Sequence, residues 1–150
     1  MPNNSLTIQQ LHDAFLLFSK AEWRQRTIRG FNRSEIRVLF SIMESEKAGV
    51  PKMKVSDIGK KMMVTTPTIT QLMKRLIESE LVERTVDPDD KRSVGIELTD
   101  KGRQIAMEAD EQLNESIDGL IDHLGADDSM KLAELLTKTF HYYYERNREL

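Results

Sequence analysis

Thr66, Thr68 and Gln71, followed by Lys74 and Arg75, share the polar side of a stretch whose other side is apolar. Short side chains ending in hydroxyl or carboxamide groups can hydrogen-bond base edges, and Lys and Arg beyond them can meet phosphates. The chemistry these residue types suggest is recognition of duplex DNA. A second group lies farther on, where Asp90, Lys91 and Arg92 sit within the polar run DPDDKR. An arginine at the tip of such a turn can enter the minor groove, where the negative potential is enhanced. Catalytic chemistry has no comparable support. His12, His123 and His141 are scattered, and no Ser/His/Asp set, glycine-rich phosphate loop or paired carboxylates in an apolar setting stands out. No catalytic residue is assigned and an enzyme is not expected.

The elements that must position these groups can be read from periodicity. Ile69, Leu72, Met73, Leu76 and Ile77 recur at i, i+3, i+4, i+7 and i+8, so residues 67–79 are expected to form an amphipathic helix. Its outer face is Pro67, Thr68, Gln71, Lys74, Arg75 and Glu78, the last lying where a duplex would have curved away. Pro67 suits a first turn because no amide hydrogen is needed there, and the threonine before it can cap. A short helix from Val55 through Ile58 and Met62, then a tight break at 64–66, completes a helix-turn-helix. LVERTV and SVGIEL, with Val94, Ile96 and Leu98 alternating, read as two strands of a hairpin around DPDDKR.

Thr99 with Asp100 starts a further helix, carried by Ile105, Ala109, Leu113, Ile117, Leu120 and Leu124 and ended by Gly125. After residues 126–129, a last helix presents Leu132, Leu135, Leu136, Phe140 and Tyr143 before the tail ERNREL frays. At the other end, Ser5 can cap a long helix marked by Ile8, Leu11, Phe15 and Phe18 and running to Gly30. Asn32 and Glu35 have the form of a capping box, and the apolar run 36–43 behind them predicts a centrally buried helix. Gly49, Pro51 and the neighbouring lysines read as a loop. The fold class expected is mainly α with a small β-hairpin wing.

With 150 residues, 39% of them hydrophobic, the chain is expected to form one domain with an ordinary core. No stretch approaches the roughly 18 apolar residues of a membrane span. MPNNSLTIQQ lacks a signal-peptide layout, so a cytoplasmic location with no membrane partner is expected. Zero cysteines exclude disulfides, thiolate metal sites and thiol redox sensing. A net charge of -3 argues weakly against a nucleic-acid partner, but the charge is uneven. Residues 1–49 carry 7 basic and 5 acidic side chains, 50–103 carry 11 and 9, and 104–150 carry 4 and 11. Any DNA-facing surface should therefore lie in the first two thirds.

The stretch KVSDIGKKMMVTTPTITQLMKRLIESELVERTVDPDDKRSVGIELTDKG, with residues 55–102 at its heart, resembles the winged helix-turn-helix signature of the MarR family, the multiple antibiotic resistance regulators. Its most specific part, DPDDKRSVGIELTDKG, is similar to that family's wing pattern of D-x-x-D-x-R, an alternating apolar strand, then L-T-x-K-G. The helix order is also similar over nearly the whole chain. The resemblance implies a single domain over 1–150, with a winged helix-turn-helix core at 31–103 and helices at 5–30 and 104–147 that pair two subunits. It implies that Arg92 is the minor-groove arginine and that Asp90 holds it by a charge-assisted pair. Thr66, Pro67, Thr68, Thr70, Gln71 and Arg75 then fall on the reading helix; Thr65 at its entry, Lys74 and the wing's Lys91 complete the expected DNA-binding set. One position departs: where family members often carry a Ser or Thr cap, this chain has Lys54, which is suited to a phosphate instead.

One winged helix cannot bury the apolar stripes of the first helix and the last two. Packing within one subunit is the alternative, but pairing of two copies accounts for them better. It would set two reading helices about 34 Å apart, on a pseudo-palindromic operator. The resemblance further implies a ligand-responsive repressor whose effector is a small aromatic or phenolic acid. Trp23, Arg26, Arg29 and Arg37 carry stacking and anion-pairing groups, yet an Arg-rich side facing solvent or DNA explains them better, so no ligand residue is assigned. No cofactor is expected. The histidines, with Asp110, Glu111, Asp122, Asp127 and Asp128, supply donors for zinc, but lone histidines are usually structural or exposed, and no metal residue is assigned. The competing function is a winged-helix protein-interaction module without DNA binding, favoured by the acidic C-terminal third.

Overall fold

The computed structural model describes residues 4–21, 27–50, 52–92 and 94–149. The Asn32 and Glu35 spacing does what it predicts. Asn32 Oδ1 accepts the Glu35 N–H at 3.0 Å and Glu35 Oε2 accepts the Asn32 N–H at 2.8 Å. This box opens helix α2 (Arg33–Lys47), which buries Ile36, Val38, Leu39, Ile42 and Met43. Helices α3 (Val55–Met62) and α4 (Thr66–Glu78) pack on α2 and on each other through Ile58, Met62, Ile69, Met73 and Leu76.

Strands β3 (Val82–Val86) and β4 (Val94–Leu98) pair antiparallel, with Val82 opposite Leu98 and Val86 opposite Val94. Met53, just before α3, adds a separate single bridge to β4, its carbonyl accepting the Ile96 N–H at 2.8 Å. Thr99 then caps α5 (Asp100–Leu124) by accepting the Gly102 N–H at 3.0 Å. Burial along α5 covers Ile105, Ala106 and Ala109 and stops there, so Ile117 and Leu120 of the same stripe are exposed. Helix α6 (Ala126–Arg148) packs against α5, but neither it nor α1 (Asn4–Lys20) buries any residue. The core therefore belongs to α2–α4, the hairpin and the first turns of α5. No helix among the described residues is long and apolar enough to cross a membrane.

Expectations at the ends of the first and last helices are corrected. The first helix stops at Lys20 rather than continuing to Gly30, because Thr27–Ile28 (β1) and Phe31–Asn32 (β2) pair antiparallel. Arg29 and Gly30 between them have φ of 49 and 85 degrees, the left-handed pair that a two-residue hairpin turn requires. Ile28 and Phe31 pack on the core, so Gly30 serves a turn and not a helix stop. Ser5 lies inside a helix that already includes Asn4, and so is not its cap.

Residues 126–129 are helical. Gly125, with φ of 85 degrees, both ends α5 and begins α6, and Ser129 Oγ donates to its carbonyl at 2.6 Å. The tail remains helical through Arg148, where Arg146 donates to the Tyr142 hydroxyl at 3.0 Å and Arg148 lies 5.8 Å from the Tyr144 ring centre.

Candidate nucleic-acid interface

The face of α4 opposite the core contains Thr66, Pro67, Thr68, Thr70, Gln71, Lys74, Arg75 and Glu78, all exposed. Ile69, Met73 and Leu76 are buried on the other side, with Leu72 and Ile77 half-buried at the flanks. Thr68, Gln71 and Arg75, at i, i+3 and i+7, form one stripe along the outer face. The helix entry differs from expectation. Thr66 is already helical, Thr65 is the N-cap residue, and no side chain caps the first turn. The Thr65 hydroxyl instead pairs with that of Thr68 at 2.9 Å. A helix entered this way has no side chain competing for its first-turn amides, which are natural donors to a phosphate.

Lys54 occupies the N-cap of α3, again without a side-chain cap, and is exposed. Its neighbour Met53 pairs with Ile96, so this lysine stands beside the base of the wing. Beyond the last rung, Val86 opposite Val94, two short side-chain-to-backbone turns shape the tip. Asp87 Oδ1 accepts the Asp89 N–H at 2.9 Å, and Asp90 Oδ1 accepts the Arg92 N–H at 3.0 Å. The role expected of Asp90 is thereby corrected. It holds the Arg92 main chain, and among the described residues no ion pair joins it to the Arg92 guanidinium. Lys91 and Arg92 are both exposed at the tip.

A residue missed in the sequence joins this surface from beneath. Glu35 is 1% exposed, and its Oε1 stands 2.6 Å from Arg75 Nε, whose side chain is 57% exposed. The Arg75 N–H does not point along that line, so the contact is an ion pair and Oε1 keeps unfilled hydrogen-bonding capacity. The capping-box spacing reveals only the other carboxylate oxygen; no local signal announces a partner this far along the chain.

The model of the MarR family matches residues 31–94, from β2 to the first residue of β4. Over that stretch the chain matches the MarR family. It is 32% identical over 91 residues to the uncharacterized HTH-type transcriptional regulator YkoM of Bacillus subtilis (strain 168), a match covering 61% of this chain and 56% of that protein. The chain spans about half the length, or less, of the curated relatives it matches. Among solved structures, the reduced form of MarR from E. coli is 26% identical, with a TM-score of 0.58 over 73% of this chain and 77% of that one. The S. aureus MepR–DNA complex shares the fold at 22% identity, with a TM-score of 0.71 over 87% of this chain and 96% of that one. The curated proteins that it matches are named as HTH-type transcriptional regulators.

Within this winged-helix fold, two further ion pairs tie α5 to the core. Arg29 of the small hairpin meets Glu108 at 2.8 Å, and Arg103 meets Glu46 of α2 at 2.6 Å. Of the residues considered for an effector, Arg29 is thus engaged by α5 and Arg37 is exposed, while Trp23 and Arg26 lie outside the described residues. Among the described residues no three His, Asp or Glu side chains are grouped as a metal ion would need.

Proposed function

We propose that this protein is a sequence-specific, double-stranded DNA-binding transcription regulator acting in the cytoplasm as a homodimer on a pseudo-palindromic operator. The observation that carries it is the exposed face of α4, whose short hydrogen-bonding residues Thr66, Thr68 and Gln71 precede Lys74 and Arg75, beside a wing tipped with Lys91 and Arg92. Lys54 adds a cation near the wing base. A helix of this kind fits the major groove, and the tip reaches the minor groove alongside. The uncovered apolar stripes of α1, the far half of α5 and α6 support pairing of two copies, so that one domain combines a reading core at 31–103 with a pairing base. Repression, and release by a small aromatic or phenolic effector, are carried by family likeness.

A mobility shift with promoter fragments from the source genome, run over a salt series, tests this reading. Phosphate-led binding should weaken by roughly a thousand-fold or more between about 50 and 200 mM salt, given several contacts per dimer. No shift at low salt would sink the proposal and favour a protein-interaction module, consistent with the acidic C-terminal third. Arg92→Ala should weaken operator binding by about 1 to 3 kcal/mol while leaving the sedimentation behaviour of the protein unchanged. An unaltered affinity would remove the wing from the interface.

A further inference from the structure

We infer that Glu35 is a positioning residue for DNA reading: it converts Arg75 from a freely swinging surface charge into an oriented donor, and so sets the preference for operator over random DNA. This rests on the DNA-binding function proposed above. The geometry is a carboxylate divided between two tasks. Oε2 is fixed by the Asn32 N–H at 2.8 Å in the capping box of α2, while Oε1 faces Arg75 Nε at 2.6 Å. The carboxylate cannot wander, because its residue is the third of a helix, is 1% exposed and is anchored through the cap. The Arg75 side chain is more than half exposed, and its residue lies on the same stripe as Thr68 and Gln71.

Two consequences follow from the charges. A carboxylate this deeply buried needs a cation, so the pair is held together by the cost of separating it. The pair is also neutral as a unit. Arg75 therefore adds little to the long-range, sequence-independent attraction for phosphates that exposed lysines provide. What it retains is the planar fork of guanidinium donors, aimed from a defined base. Planar, fixed donors discriminate between partners by geometry, whereas a loose ammonium acts as a point charge. Glu35 thus exchanges general affinity for orientation.

The test compares binding to a duplex that the wild-type protein selects from a randomised pool with binding to random-sequence duplex, both across a salt series. Glu35→Gln keeps an oxygen for the Asn32 N–H but removes the charge. It should lower the ratio of selected to random affinity roughly ten-fold, with random-duplex affinity unchanged or raised and its salt dependence steeper. Arg75→Gln should lower the ratio similarly, and the double variant should lose no more than either single one. A merely structural role would weaken both duplexes in parallel, and that result overturns the inference. So does an unchanged ratio in Glu35→Gln, or independent losses in the double variant. Should Glu35→Gln fail to fold by circular dichroism, Arg75→Lys decides: it keeps the charge without the fork, so the ratio falls if orientation matters and holds if it does not. A wild-type protein that selects no duplex at all would remove the DNA-binding reading itself; a selective wild type with unaltered variants removes this inference alone.

Discussion

Phe15→Asp, or Leu136→Asp, should turn the protein into a monomer in sedimentation velocity and weaken operator binding by roughly a hundred-fold or more, the scale set by losing the second tethered half-site. Phe15 belongs to the α1 stripe with Ile8, Leu11 and Phe18, and Leu136 to the α6 stripe with Leu132, Leu135 and Phe140. All of these side chains are exposed, and Leu17 beside them reaches 69%. Scattered apolar residues on a surface need no explanation, but apolar residues aligned along the exposed face of a helix mark an interaction surface. In a two-fold interface each substitution enters twice, so one acidic residue per subunit buries two unpaired charges. Neither residue supports the core around α2, so the secondary structure should survive. A wild-type monomer, or variants that remain dimeric and bind operator normally, would refute the assignment of these stripes.

Gly102→Ala should destabilise the protein by about 3 kcal/mol in urea denaturation at matched protein concentration, the upper part of the range for forced overpacking. A Cβ there would stand 1.9 Å from the Leu81 carbonyl oxygen and 2.8 Å from its carbon. Those atoms are backbone and cannot rotate away. The same carbonyl accepts the Thr99 N–H at 3.1 Å, and the Thr99 hydroxyl donates to the Glu80 carbonyl at 2.7 Å while accepting the Gly102 N–H. Any shift that admits the methyl group therefore strains the junction between the reading helix, the wing and α5. The usual gain of about 1 kcal/mol for Gly to Ala inside a helix is smaller than this cost. Gly119, also in α5, provides the control: nothing lies within 4 Å of its added Cβ, so Gly119→Ala should be neutral or stabilising. Equal effects of the two substitutions would show that the Leu81 approach does not constrain the fold.

Much of the architecture was legible because it is local. A stripe such as Ile69, Met73 and Leu76 repeats with the helix period, and the alternation of Val94, Ile96 and Leu98 repeats with that of a strand. The Asn32–Glu35 box spans a single turn and closes as its spacing predicts. The small hairpin was not legible, since two-residue strands have no period to detect and an arginine at φ of 49 degrees is not foreseeable from its type. Asp90 shows a subtler limit. An acid near an arginine suggests a side-chain pair, but a main-chain N–H two residues ahead was the nearer donor.

By itself the chain's order of residue types determined helix α4 with its polar outer face, the hairpin, the family pattern and the apolar stripes of the terminal helices. These depend on contacts within a turn, a hairpin or one helix face. The tertiary structure alone decided which helix ends hold, why Gly102 must lack a side chain, and where Arg75 is anchored. Each of those depends on groups distant in sequence whose approach exists only after the core has packed: Leu81 against Gly102, Met53 against Ile96, and the buried Glu35 beneath the outer face of α4.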